Sequence, residues 1–439
     1  MTGGSPPGGV RRQLPRWHDL KPMLVGPRPT GTLVERRVAR AHSVPDLRAL
    51  AKRRAPRAVF DYVDGGAESE LSMARARAAL DRVEFSPYVL RDVAAVRPDT
   101  TILGRPASLP LVLGPTGLTR AMHHEGEMAV ARAAREAGLP YALSTMGTTS
   151  IAGLRAAVPA ADLWFQLYMW RDRAASRALL EQAAGSGYST LVLTVDVPVA
   201  GGRLRDQRNG FTMPPTLRAR TLLDMGLHPS WWVNMLTTGP LAFATMDSSH
   251  GSVADTVGRM FDPAVTFDDL AWVRDTWSGP IVIKGVQRVE DAVRAAEVGV
   301  DAIVLSNHGG RQLDRTQAPL DLLPRVRERL QGSMEIYLDG GIRSGADIAA
   351  AVGLGADACL IGRAYLYGLM AGGEAGVRRV LALLGEEFVR TMQLLGVRDV
   401  PELRSGVVHL PAAAPALPAD DGRSGVADNG RPTGAGTVP

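Results

Sequence analysis

Ile281-Val282-Ile283-Lys284-Gly285, a helical pattern over residues 289–298, and then Ala302-Ile303-Val304-Leu305-Ser306 form the passage whose reading decides the fold. Two short apolar runs, each closed by a polar residue or glycine and separated by a helix, describe parallel strands buried on both faces. The same unit recurs on either side. Further strand candidates lie at 111–114, 141–144, 164–167, 190–195, 335–338 and 358–361, with helical patterns at 126–137, 173–184, 347–352 and 377–384. Eight such strands favour a closed (β/α)8 TIM barrel, an α/β fold, over an open doubly wound sheet. The long interval between the strands at 190–195 and 281–284 holds an insertion from about 200 to 263.

Composition bounds the rest. With 45% hydrophobic and 22% charged residues over 439 positions, the chain is neither disordered throughout nor fibrous. The single cysteine, Cys359, excludes an internal disulfide framework and a multi-cysteine metal site. There is no apolar run of membrane-spanning length, and residues 1–12 lack the apolar core of a secretory signal, so a cytoplasmic location is expected. A net charge of +5 is mild, and no recognition motif accompanies the basic residues at 34–37 and 52–54; nucleic-acid binding is not expected. Residues 1–42 read as an extended or partly disordered arm, 43–410 as the barrel unit, and 411–439 as a disordered tail. A helix is expected from Ser43, its N-cap, with Asp46 three residues on, interrupted at Pro56.

In a barrel of this kind the active site is built on the C-terminal strand ends. Those ends are Pro115-Thr116-Gly117, Ser144, Gln166 with Tyr168, Thr194 with Asp196, Lys284, Ser306 with His308, Asp339, and Gly362-Arg363. Capping explains one or two polar strand ends; it does not explain eight. Only three of the fifty basic residues are lysines, and Lys284 closes an apolar strand. A lysine there is costly unless it meets negative charge; it suits the partner of an anionic cofactor or a Schiff-base nucleophile, or else it reaches solvent at the rim. His308, three residues before Arg311, is the best candidate base among the histidines, with Asp196 able to orient it. The adjacent His123 and His124 read as surface residues. Asp339-Gly340-Gly341-Ile342-Arg343 and Gly362-Arg363 suit a phosphate, offering glycine amides and arginine forks. No dinucleotide fingerprint or P-loop is present.

The run Ser306-Asn307-His308-Gly309-Gly310-Arg311-Gln312-Leu313-Asp314 resembles the active-site signature of the FMN-dependent L-2-hydroxy-acid oxidases and dehydrogenases. Phe60-Asp61-Tyr62, Phe165-Gln166-Leu167-Tyr168, Thr194-Val195-Asp196, Lys284-Gly285 and Asp339-Gly340-Gly341 add to the resemblance. Within that family the chain is most similar to the actinobacterial quinone-dependent L-lactate dehydrogenases. The resemblance implies FMN and oxidation of a small L-2-hydroxy acid, foremost L-lactate to pyruvate, with a quinone-type acceptor. An oxygen-using oxidase that makes hydrogen peroxide is the alternative. It implies His308 as base supported by Asp196, Arg311 and Arg203 on the substrate carboxylate, and Tyr62 and Tyr168 as hydroxyl partners. It implies that Pro115, Thr116, Gly117, Ser144, Gln166, Thr194 and Ser306 contact the flavin, and that Lys284 faces its N1–C2 edge. Asp339 would bind the ribityl chain, and Gly340, Gly341, Arg343, Gly362 and Arg363 would hold the phosphate end. A homotetramer is the implied assembly.

Two features depart from the family pattern. Met146 stands where several relatives have an aromatic residue, and Gly117 where many oxidases have alanine. The insertion carries Leu222, Leu223, Leu227, Trp231, Trp232 and Leu236 behind Arg218 and Arg220. Such a segment suits peripheral contact through 214–262 with the inner face of a membrane, or else a lid or a subunit contact.

Overall fold

The computed structural model describes residues 14–24, 31–211, 219–239, 241–244 and 260–412. Its strands, in chain order, are β1 (Glu84–Phe85), β2 (Thr100–Ile102), β3 (Arg105–Ala107), β4 (Leu111–Leu113), β5 (Tyr141–Ser144) and β6 (Leu163–Leu167). They continue with β7 (Thr190–Thr194), β8 (Ile281–Val286), β9 (Ala302–Leu305), β10 (Glu335–Asp339), β11 (Ala358–Ile361) and β12 (Val408–His409). Strands β4 to β11 close into an eight-stranded barrel in sequence order, parallel throughout, sealed by β11 against β4 with Cys359 beside Leu111. Every strand candidate read from the sequence lies in this barrel.

Period two along each strand sorts the side chains. Leu111, Leu113, Leu143, Phe165 and Leu193 point out to the helices, while Val112, Ala142, Trp164, Val192, Val282, Val304, Tyr337 and Leu360 fill the interior. The next inward position towards the C-terminal end is Ser144 on β5, Gln166 on β6, Thr194 on β7, Lys284 on β8, Ser306 after β9 and Asp339 on β10. The same alternation that packs an apolar layer therefore sets a ring of polar groups directly above it.

The floor below is closed by the β2–β3 hairpin. Ile102 and Ala107 pack into the inner cluster with Trp164 and Tyr337, and Leu103 N donates to Glu335 Oε1 at 2.9 Å. This hairpin was not expected: two strands of three residues carry too little alternation to stand out. The expected helix runs Val44–Arg54, with Ser43 Oγ accepting from Asp46 N, and Pro56 ends it before the helix Arg57–Asp64. Asp46, however, turns back to accept from His42 N at 2.9 Å.

The arm expected over 1–42 is not simply extended. It contains helices Trp17–Leu24 and Leu33–Val38, the second closed by a Thr32–Glu35 capping box and burying Val38. Helices this short are held by caps and tertiary contact rather than by a sustained period. The tail expected to be disordered lies almost wholly outside the described residues. The pattern seen at 377–384 belongs to Arg363–Leu395, which bends at Gly372 and Gly373.

Candidate active site

A cavity of about 750 Å³ opens over the polar ring. Lys284, 5% exposed, is the ring's charged centre: its Nζ lies 2.9 Å from Asp339 Oδ2 and donates to Ser306 Oγ at 3.0 Å. Ser306 Oγ in turn donates to Asp339 Oδ2 at 2.7 Å. Burial works against both charges, yet each holds the other ionised. Lys284 is raised by Asp339 and Asp196, and Asp339 is lowered chiefly by Lys284.

His308 Nδ1 lies 2.9 Å from Asp196 Oδ1, which fixes the ring and leaves Nε2 for the cavity that His308 lines. His308 adopts φ 58°, a left-handed conformation uncommon outside glycine, and its backbone N donates to Ser306 Oγ at 2.9 Å. Asp196 comes this close because residue 285 is glycine. A Cβ on Gly285 would stand 2.6 Å from Asp196 Cβ.

At the neighbouring wall, Arg203 and Arg311 each place the guanidinium carbon 4.9 Å from the Tyr62 ring centroid. Arg311 Nη1 donates to the carbonyls of Tyr62 at 2.6 Å and Gly65 at 3.1 Å. Burial and the nearby Arg203 push its guanidinium down to about 10. Tyr168 packs edge-on to Phe261 at 5.4 Å, and burial raises its hydroxyl so that it stays a proton donor.

Pro115, Thr116, Gly117, Gly340, Gly341, Arg343, Gly362 and Arg363 line the same cavity. Thr116 Oγ1 lies 2.7 Å from the Tyr365 hydroxyl. A Cβ on Gly117 would stand 2.7 Å from Met146 Cβ, so the small residue makes room for this methionine. Arg363 differs from the expectation of a free phosphate fork. Its guanidinium donates to the carbonyls of Val63 at 3.0 Å, Gly309 at 2.8 Å and Gly65 at 2.8 Å, tying two loops together.

Does this cavity suit FMN? Ser144 Oγ donates to Gln166 Oε1 at 3.0 Å, but the buried Gln166 Nε2 and Thr194 Oγ1 have no hydrogen-bond partner among the described residues. A buried donor or hydroxyl left unpaired costs about 1–3 kcal/mol, so such atoms call for a ligand or water. A flat heterocycle with donors and acceptors on its edge meets them, and the anionic tail meets Arg343 and the glycine loops at the other end. The residues fit the group.

Three features escaped the sequence reading. Asp206, 5% exposed, lines the cavity 3.2 Å from Arg203. Leu241, Ala242, Phe243 and Phe261 bring the insertion to the cavity wall. His123 and His124, expected at the surface, are half-buried. Their rings lie 4.5 Å apart in a small cleft with Arg54 and Trp231, and burial with His124 and Arg54 pushes His123 down to about 3.

The stretch 219–239 is more thinly anchored. Its helices Ala219–Gly226 and Pro229–Thr237 bury no residue, and Leu223, Leu227 and Leu236 are 74%, 79% and 77% exposed. Trp231 Nε1 donates to Ala121 O at 2.8 Å and Arg57 N to Asp224 Oδ2 at 2.6 Å. Arg218 lies outside the described residues. Among those residues no helix is long and apolar enough to cross a membrane.

Known proteins give this arrangement a context. The family model described as FMN-dependent dehydrogenase matches residues 51–410. A provisionally named L-lactate dehydrogenase of Mycobacterium tuberculosis is 55% identical, over 90% of this chain and 95% of that one. An L-lactate dehydrogenase of Caulobacter vibrioides is 42% identical, over 83% and 97%, and an L-lactate oxidase of Nostoc sp. 41%, over 82% and 96%. The crystal structure of a monotopic membrane protein, (S)-mandelate dehydrogenase, superposes with TM-score 0.81 at 38% identity, covering 85% of this chain and all of that one.

Proposed function

The chain belongs to the FMN-dependent dehydrogenase family, and we propose that it oxidises L-lactate to pyruvate and passes the electrons to a quinone. The observation that carries this reading is one cavity holding an oriented imidazole, two guanidiniums and two tyrosines beside the polar ring. The names of the relatives support L-lactate as the substrate.

FMN, when bound, supplies the acceptor for the hydrogen and electron pair that leave C2 of the acid. The protein's own groups do the rest. Arg203 and Arg311 hold the carboxylate, and Tyr62, packed beneath both, fixes their separation. His308 Nε2 takes the proton of the 2-hydroxyl, and Asp196 on Nδ1 stabilises the imidazolium that results. Tyr168 donates to the oxygen as it becomes a carbonyl. Lys284, kept cationic by Asp339, would supply positive charge to stabilise a reduced, anionic cofactor. Ser144, Gln166, Thr194 and Ser306 would hold the heterocycle, and Gly340, Gly341, Arg343 and Gly362 the phosphate.

A quinone acceptor is supported by the exposed leucines of the insertion, one of which, Leu241, lines the cavity, and which suit peripheral contact with a lipid surface. Oxygen is the second reading, favoured by the similarity to an L-lactate oxidase. Steady-state turnover of L-lactate with a short-chain quinone analogue, against oxygen uptake in the same preparation, separates them. Quinone turnover far above oxygen uptake is expected; stoichiometric hydrogen peroxide with no response to quinone would make the enzyme an oxidase.

A further inference from the structure

Asp206 is a buried acid for which the reaction as described has no use. It sits on the helix Leu204–Asn209, whose N-cap is Arg203, and its Oδ2 is 3.2 Å from Arg203 Nη1. Arg311, from the loop after β9, shares the Tyr62 ring with Arg203. Two cations and one anion are thus gathered at one wall.

The other charged groups near Asp206 are engaged elsewhere. Arg205 pairs with Asp64 at 3.2 Å and with Glu70. Asp61 accepts from Asn209 Nδ2 at 2.8 Å and from Arg57 Nε at 3.3 Å. Among the described residues lining the cavity the acids are Asp206 and Asp339, and Asp339 is matched by Lys284. Asp206 is therefore the acid that opposes the two guanidiniums. Burial raises its carboxyl, against the pull of Arg203 and Arg311.

We infer that Asp206 sets the net charge of the carboxylate-binding wall at one positive unit, so that the site selects substrates with a single carboxylate over dicarboxylic 2-hydroxy acids. The inference rests on the reading that Arg203 and Arg311 hold the substrate carboxylate. One carboxylate neutralises the wall. A second would leave a buried negative charge without a partner, which is costly in a medium of low dielectric. Without the Asp206 charge the wall carries two positive units and accommodates a dianion. Asp206 acts through the arginines and is a positioning and specificity residue.

The test is calorimetric titration of the FMN-loaded enzyme with oxamate, a monoanion, and oxalate, a dianion, each a substrate mimic. Removing one negative charge favours the dianion twice as much as the monoanion. In Asp206→Asn the ratio of oxamate to oxalate dissociation constants is expected to rise by about tenfold or more over wild type. Asp206→Glu, which keeps the charge, is expected to retain the wild-type ratio. Asp206→Ser serves in place of the Asn variant if the latter is recovered without flavin. An unchanged ratio in a flavin-loaded, oxamate-binding neutral variant would overturn the inference, as would a Glu variant that shifts as far as the Asn one. Wild-type enzyme that binds neither mimic would instead overturn the carboxylate reading of Arg203 and Arg311, and this inference with it.

Discussion

The barrel mouth and the insertion meet at the same cavity, but they are built on opposite terms. At the mouth the barrel strands are buried, Lys284 and His308 each lie 2.9 Å from an aspartate, and Gln166 Nε2 and Thr194 Oγ1 have no hydrogen-bond partner among the described residues. The insertion helices Ala219–Gly226 and Pro229–Thr237 bury nothing and hold to the barrel through hydrogen bonds such as Trp231 to Ala121. Chemistry that needs groups held to a fraction of an ångström sits on the part that cannot move. Exposed leucines sit on the part that can meet another apolar phase. The difference teaches that reaction and acceptor access are separable, and mutations should separate them.

The largest break is expected at the base. His308→Gln keeps the ring filled and should retain FMN, while the rate at which L-lactate removes the flavin absorbance falls about 10²- to 10⁴-fold. Stopped-flow absorbance measures it, and a wild-type rate would remove His308 from its role. Next comes the ionic centre. Lys284→Met strands Asp339 in a buried site, a loss of about 3–5 kcal/mol for a broken buried pair. Flavin content and thermal midpoint should both fall, whereas a fully loaded variant of normal midpoint would show that the pair is dispensable.

The insertion should answer in the opposite way. Replacing Leu222, Leu223, Leu227 and Leu236 by serine removes apolar side chains worth about 1.5–3 kcal/mol each when fully buried. Sedimentation with lipid vesicles should drop while turnover with a soluble dye stays the same. Parallel loss of both would merge the two regions into one functional unit.

The smallest effect concerns the cleft where they touch. His123 is neutral in the fold until about pH 3, although Glu125 lies 3.5 Å away, whereas an unfolded histidine takes up its proton near 6.5. The unfolded chain then binds more protons between those values, so His123 lowers stability as pH falls through that window. His123→Gln should flatten the decline of the thermal midpoint between pH 6.5 and 4. An unaltered slope would mean that His123 titrates normally.

The strands were legible because each is a short, mainly apolar run, and the ring was legible because period two carries the inward face from Val282 to Lys284 and from Val192 to Thr194. The pairing of His308 with Asp196 was anticipated residue by residue; they follow β9 and β7, which flank β8 in the barrel. What escaped depends on elements far apart in sequence. Asp206 sits in a polar run, 203–209, with no period to mark which residue turns inward. Arg363 is occupied by carbonyls at Val63, Gly65 and Gly309, which no local pattern foretells. His123 looked exposed because the residues that cover it, among them Arg54, Trp231 and Met370, come from three distant helices.

The most direct test of the account is anaerobic addition of L-lactate to the purified, FMN-loaded protein, with D-lactate and L-mandelate in parallel. The account predicts rapid loss of the flavin absorbance with L-lactate, none with D-lactate, and slower loss with L-mandelate. A flavin that L-lactate leaves unchanged, or that D-lactate bleaches equally fast, would contradict it.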